Sequence, residues 1–330
     1  MAIDPFANCN FGIPPTVRCT LDTCCLAQSS FLYRPNWGGN LFFTIYFAIL
    51  CVPQLWLGIR YRQKGFATGM LMGLILEVVG YAGRVMLHMN PFNGNAFLIY
   101  LICLTIGPVF ITAGIYLSIA RIISLYGQDL SYFKPRTIAM AFMTSDFISL
   151  ILQAAGGGIA NSFTGAGRQT GTNIMIAGLL LQVISLAVFL LYLSYFALQC
   201  RRGSLDMDPA KVSCRERGLF KVFLVSLLLA TVAILVRSTY RVAELWQGFS
   251  GELWNNEKDF MILDGGMMSL AVLLLTVFHP GPAFKEQWHA ANWSFKSTPP
   301  QKASHSRRRS SHSRRRSSHN RRNNSRRSHI

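Results

Sequence analysis

Seven apolar runs, near residues 39–59, 66–87, 97–119, 137–159, 174–199, 219–237 and 260–279, set the terms for everything else in this chain. Each is about 20 residues long, the length an α-helix needs to cross roughly 30 Å of hydrocarbon. The third and fifth are the most apolar; Asp146, Gln153 and three glycines dilute the fourth. Composition agrees, with 51% hydrophobic and only 14% charged residues, far from the balance of a soluble domain. The expected architecture is an all-α integral membrane protein, a seven-transmembrane helix bundle over residues 39–284. An N-terminal tail (1–38) precedes it and a basic low-complexity tail (285–330) follows. Residues 1–38 contain no apolar core of a cleavable signal, so the first apolar run is expected to target the chain.

The formal charge of +18 would suggest nucleic acid if it covered a surface. It does not: from Lys285 onward three lysines and ten arginines face only Glu286. The shorter loops orient the bundle, because cytosolic loops carry the excess of Lys and Arg. The first loop holds Arg60, Arg62 and Lys64, and the third Arg121, Lys134 and Arg136. The fifth holds Arg201, Arg202, Lys211, Arg215 and Arg217. The second loop has no basic residue, the fourth only Arg168, and the sixth Arg241 and Lys258. The N-terminus is therefore expected outside and the C-terminus in the cytosol, with the plasma membrane as the expected location.

Charge inside the apolar runs points to a site. Glu77, Arg84, Asp146, Arg237 and Asp264 would each cost about 2.5–3.5 kcal/mol at a helix centre, about 12–18 kcal/mol together if exposed singly to lipid. They must face one another or water. The richest stretch runs from Arg237 to Asp264. Arg237, Arg241 and Glu244 stand at i, i+4 and i+7 and share one helix face. Glu77, Tyr81 and Arg84 share another, with Gly73 and Gly80 beside them to admit a neighbouring helix. Given the orientation, Arg84, Gln153, Gln182, Arg237 and Asp264 fall toward the outer third, and Glu77 and Asp146 near mid-depth. The pattern predicts a pocket with a mixed-charge mouth and two deeper carboxylates. The competing expectation is that Glu77–Arg84 and Arg237–Asp264 are structural pairs that only lock the bundle.

Three blocks resemble a known family. They are R-x-x-Y-R-x-x-E from Arg237 to Glu244 with the Leu263-Asp264 pair, E-x-x-G-Y-x-x-R from Glu77 to Arg84, and Gln153-Ala-Ala-Gly156-Gly157-Gly158 with Gly178 and Gln182. Together, over roughly residues 33–284, they resemble the fungal lipid-translocating exporters, the RTA-like seven-helix membrane proteins. The resemblance implies a transporter-like or flippase-like role for sphingoid long-chain bases or other amphiphiles, giving resistance to toxic lipids. In that role Glu77, Asp146 or Asp264 would hold an amine, and the arginines would order the carboxylates or meet an anionic group.

Other functions fit the residues less well. A seven-helix zinc hydrolase needs several histidines at one face, whereas only His88 and His279 lie near the membrane and on opposite sides, so no metal is expected. A retinal protein needs a lysine in the last run, which has none. Ala120-Arg121-Ile122 replaces the acidic-Arg-Tyr signature of a G-protein-coupled receptor. The three glycines at 156–158 lack the Lys-Ser/Thr of a phosphate loop, so no nucleotide cofactor and no enzymatic activity are expected. A ligand-sensing receptor without transport activity is the alternative.

The flanks carry two further expectations. Cys9, Cys19, Cys24 and Cys25 lie in the external tail and are disulfide candidates. A bridge between the neighbours Cys24 and Cys25 would be strained, so each is expected to bond to Cys9 or Cys19. From Ser304 the C-terminal tail repeats SHSRRRS without apolar residues, so it cannot pack a core. It fits anionic inner-leaflet lipids or serine phosphorylation, and should be dispensable for transport. Asn292-Trp-Ser294 and Asn323-Asn-Ser325 match the glycosylation pattern but should stay bare on the cytosolic side.

Overall fold

The apolar runs fold as helices that are longer than hydropathy alone delimits. The computed structural model describes residues 9, 19–20, 23–29, 31–126, 135–162, 165–202 and 218–284. These fall in the first of two units, Met1–Trp293; the second, Ser294–Ile330, lies wholly outside them. Six long helices come first: α1 (Trp37–Arg60), α2 (Lys64–Met89), α3 (Gly94–Tyr126), α4 (Pro135–Ser162), α5 (Ala166–Arg202) and α6 (Gly218–Trp246). The last, α7, is composite: α-helical at Glu257–Asp259, π-helical at Phe260–Gly266, and α-helical again at Met267–Val277. Seven helices among the described residues are long and apolar enough to cross a membrane, and none of those residues is in a strand. The chain is a multi-pass membrane protein. The SHSRRRS repeats, Cys214, Lys134, Lys211, Arg215, Arg217 and both Asn-x-Ser sites lie outside the described residues.

Two helices depart most from the expected limits. α5 begins at Ala166 rather than near 174, with polar residues that bond along the helix, such as Thr170 to the Ala166 carbonyl and Gln169 to Asn173. α6 continues past Arg237 to Trp246. In both, hydropathy marks the part that crosses hydrocarbon, whereas backbone hydrogen bonding runs on while its polar side chains find partners.

The surface is inverted relative to a soluble protein. On α1, Ile45, Ile49, Val52, Trp56 and Ile59 recur every three or four residues and face outward, Val52 at 68% and Trp56 at 64% exposure. Asn40, Gln54, Glu77, Arg84, Asp146, Arg237 and Asp264 are buried. Successive helices pack on one another and α7 returns to α1, while α3 also reaches α6. Glycines bring α2 against the α3 backbone. A Cβ on Gly69 would stand 2.8 Å from the Phe110 carbonyl oxygen, and one on Gly73 2.9 Å from that of Gly107. Small residues allow this close approach, which drives helix association where the hydrophobic effect is absent.

At the end of the bundle where α1, α3, α5 and α7 begin, the N-terminal segment is tied down. Disulfides join Cys9 to Cys25 and Cys19 to Cys24, so the two neighbouring cysteines bond to different partners. Asn36 caps α1 by accepting from the Gly39 amide at 2.9 Å, and its own amide donates to Glu257 at 2.6 Å. Leu32 donates its amide to Asn255 at 2.8 Å. We call this the capped end.

Candidate functional site

Starting from the capped end, α3 passes each of the buried charges described below in turn. Its residues Tyr100, Leu104, Gly107, Thr112 and Tyr116 mark successive levels over about 24 Å of helix, at roughly 1.5 Å per residue.

The first level is aromatic. Phe31 stacks on Trp254 at 5.4 Å, and Phe97, Tyr100, Phe249 and Phe260 close around them. Arg84 rises from α2 into this cluster with its guanidinium carbon 3.9 Å from the Phe260 ring centre and 4.9 Å from that of Tyr100. Its Nε donates to Asn40 Oδ1 and its Nη2 to Tyr33 Oη, both at 2.9 Å, and Glu257 stands 3.6 Å away. Burial pushes the Tyr33 phenol up from its ordinary range, so it stays neutral beside the cation. Arg84 thus pairs with Glu257 and not with Glu77.

One level in, α6 presents its charged face. Arg241 pairs with Glu244 three residues on, and lies 5.9 Å over the Trp254 ring. Arg237 Nη2 meets Asp264 Oδ1 at 3.0 Å and also donates to the Leu104 carbonyl at 2.5 Å. Tyr81 donates to the other Asp264 oxygen at 3.3 Å. The π-helical turn of α7 delivers Asp264 to this place. The next residue, Gly265, has no room for a side chain: a Cβ there would stand 2.7 Å from both the Phe43 ring and the Tyr81 hydroxyl. π-turns inside α-helices are frequent at functional sites.

Below this level lies Glu77, with 0% exposure. Neither of its oxygens has a hydrogen-bond partner among the described residues. Gly107 of α3 is its near wall, since a Cβ there would come 3.0 Å from Glu77 Oε1. Arg237, Arg241 and Asp264 are the charged groups in electrostatic reach. The tally around this half of the bundle is uneven. Three arginines each have a carboxylate, in Arg84–Glu257, Arg241–Glu244 and Arg237–Asp264. Glu77 is a fourth carboxyl group, and among the described residues no cation is paired with it.

The remaining predicted residues lie on the opposite face of α3. Tyr116 and Thr112 donate to Asp146 at 2.9 and 3.3 Å. Two turns toward the capped end, Gln153 donates to Gln182 across α4 and α5 at 3.1 Å. Seven of the ten predicted residues therefore converge, and Asp146, Gln153 and Gln182 form a separate strip. Sequence reasoning missed Tyr33, Asn40, Tyr100, Trp254 and Glu257, which complete the surroundings of Arg84 and Arg241. Among the described residues no three His, Cys, Asp or Glu side chains gather as metal ligands would. An open groove of about 650 Å³ runs along α4, lined by Arg136, Met140, Thr144, Ser145 and Ile148 with Leu181 of α5.

Residues 70–287 match the family described as RTA1 like protein. The sphingoid long-chain base transporter RSB1 of Saccharomyces cerevisiae (strain S288c) is 36% identical, over 78% of this chain and 76% of its own. Protein RTA1 of the same yeast is 28% identical over 75% and 84% of the two chains. Protoporphyrin uptake protein 1 is 30% identical over 62% and 65%. No solved structure matches. With its seven apolar helices and this match across most of the bundle, the chain belongs to the fungal RTA1-like family of multi-pass membrane proteins.

Proposed function

We propose that this protein carries an amphiphile with an amine headgroup, of the sphingoid long-chain base class, across or out of the plasma membrane, and that Glu77 receives the amine. The observation behind this is the unmatched carboxylate. A buried carboxylate without a paired cation is expensive, while an ammonium about 4 Å away at an effective dielectric near 20 is worth about 4 kcal/mol. Arg84, Arg237 and Arg241 are already paired, so they shape the site without filling the vacancy. The name of the 36%-identical relative, a sphingoid long-chain base transporter, supports the same ligand class. In this proposal the capped end is outside, and the protein binds and moves its ligand without a chemical step.

Vesicles containing only the purified protein test the proposal with a fluorescent sphingoid base. Glu77→Gln should lose most of the protein-dependent movement, and Glu77→Asp should keep part of it. Because no hydrogen bond to Glu77 is broken, Glu77→Gln should unfold at the wild-type temperature or above. Wild-type rates in a folded Glu77→Gln protein would refute the role of Glu77. No movement by the wild-type protein would refute transport.

A further inference from the structure

Asp146 is the other carboxylate of the bundle without a cation, and it lies outside the amine station. It is 2% exposed. From α3, Tyr116 and Thr112 donate hydroxyls to its Oδ2. Among the described residues its Oδ1 has no partner within hydrogen-bond geometry, and neither has the buried hydroxyl of Ser185, although α5 brings that hydroxyl close enough to stabilise the carboxylate as well. On α4 itself, Ser149 bonds the Asp146 main-chain carbonyl at 2.7 Å and leaves the carboxylate alone. The groups that face it from α3 and α5 are thus Tyr116, Thr112 and Ser185. Only Tyr116 titrates, and none carries charge. The rings of Tyr116, Phe142 and Phe189, 4.7–5.7 Å apart, close the space around them.

The α4 groove runs beside this site. Ser145, immediately before Asp146, lines it, and so does Leu181, one turn before Ser185. Thr137, Thr144 and Ser145 give it hydroxyls between Arg136 and the level of Asp146. Met140, Ala141, Ile148 and Leu181 make most of its surface apolar, and Asp146 itself does not line it.

We propose that Asp146 is a proton-binding site enclosed between α3, α4 and α5. Its protonation is coupled to amphiphile movement, and that second half rests on the transport proposed above. A hydronium ion gives its proton to Oδ1 and leaves as water; the reverse step returns the proton to water. The acid form is neutral, which removes the cost of a buried charge, and its O–H becomes a donor that the Ser185 oxygen accepts. The carboxylate form keeps the Tyr116 donor, and Thr112 shares its one proton between Oδ2 and the Val109 carbonyl, so neither state is prohibitive. Tyr116 and Thr112 keep their own protons throughout.

Infrared spectroscopy of the purified full chain, titrated with pH and without amphiphile, tests the site. The wild-type protein should show a carboxylic-acid C=O band that titrates and that Asp146→Asn removes. Tyr116→Phe, which takes one donor from the charged form, should raise the midpoint by about one to two pH units. An unchanged spectrum in folded Asp146→Asn, or an unmoved midpoint in Tyr116→Phe, would overturn the proposal. If Asp146→Asn does not fold, Tyr116→Phe decides alone. Coupling is read in vesicles from the rate of sphingoid-base movement with and without an imposed pH gradient. That ratio should depart from one in wild type and fall to one in Asp146→Asn; a ratio that stays at the wild-type value would overturn the coupling. No movement by wild type at all would refute transport and the coupling with it, and leave the proton site to the titration.

Discussion

Removing Asp264 asks whether Glu77 acts as a spare anion. Arg237 stands 3.0 Å from Asp264, and at an effective dielectric near 20 that contact is worth about 5–6 kcal/mol before desolvation is counted. Breaking one partner of a buried pair normally costs about 3–5 kcal/mol, because the other charge is stranded. Here the stranding is incomplete, since Glu77 lies in reach of the same guanidinium. Two unit charges about 6 Å apart at the same dielectric attract by about 3 kcal/mol, the scale open to such a neighbour. Asp264→Asn should therefore cost only about 1–2 kcal/mol, because Glu77 takes over part of the pairing. Glu77→Gln alone breaks no hydrogen bond and should change stability by less than about 1 kcal/mol. The double variant leaves Arg237 with neither anion and should exceed the sum of the single effects by about 1–3 kcal/mol. Denaturant unfolding of the four proteins in mixed micelles, without ligand, closes the cycle. Additivity within about 0.5 kcal/mol would show that Glu77 and Arg237 do not sense each other, and the vacancy argument would fail with it.

The α2–α3 contact gives a steric test: Gly73→Leu should prevent accumulation of folded protein, since its Cβ alone would press on the Gly107 carbonyl, and normal yield by size-exclusion chromatography would contradict the packing. Tyr33→Phe and Asn40→Ala should each destabilise the protein by about 1–3 kcal/mol, because each takes a partner from the buried Arg84; unchanged unfolding temperatures would show that Arg84 is held by its rings and Glu257 alone. In intact cells an impermeant maleimide should label Cys9, Cys19, Cys24 and Cys25 only after reduction. Labelling that also required permeabilisation would invert the orientation.

The helices and half of the site are legible in the chain because they rest on periodicity. Arg237, Arg241 and Glu244 share a face by helix spacing, and Asp264 follows in the next apolar run, where Arg237 is the nearest cation of an adjacent helix. What decides the partner of Arg84 is not periodic. Glu77 and Arg84 lie about 10.5 Å apart along α2, two turns, and the long arginine side chain extends instead to oxygens at the capped end. Those belong to Tyr33, Asn40 and Glu257, two of them in stretches whose sequence shows no period. The separation of Asp146 from the arginines was equally hidden. Depth placed Glu77 and Asp146 together, while rotation about α3 put them on opposite faces. The π-turn at Phe260–Gly266 leaves no compositional trace, since it alters hydrogen-bond register and not side-chain chemistry.

The aromatic layer at the capped end has a consequence for how occupancy is reckoned. Phe31, Trp254, Phe97 and Phe260 are buried over the arginines, and two disulfides hold the preceding segment. In the transport proposed above, a site roofed in this way meets its ligand sideways, from the plane of the bilayer, and not from bulk water. The governing variable is then the ligand's mole fraction among the lipids. Adding inert lipid at constant total ligand should slow the protein by surface dilution, although nothing about the protein or the aqueous phase has changed.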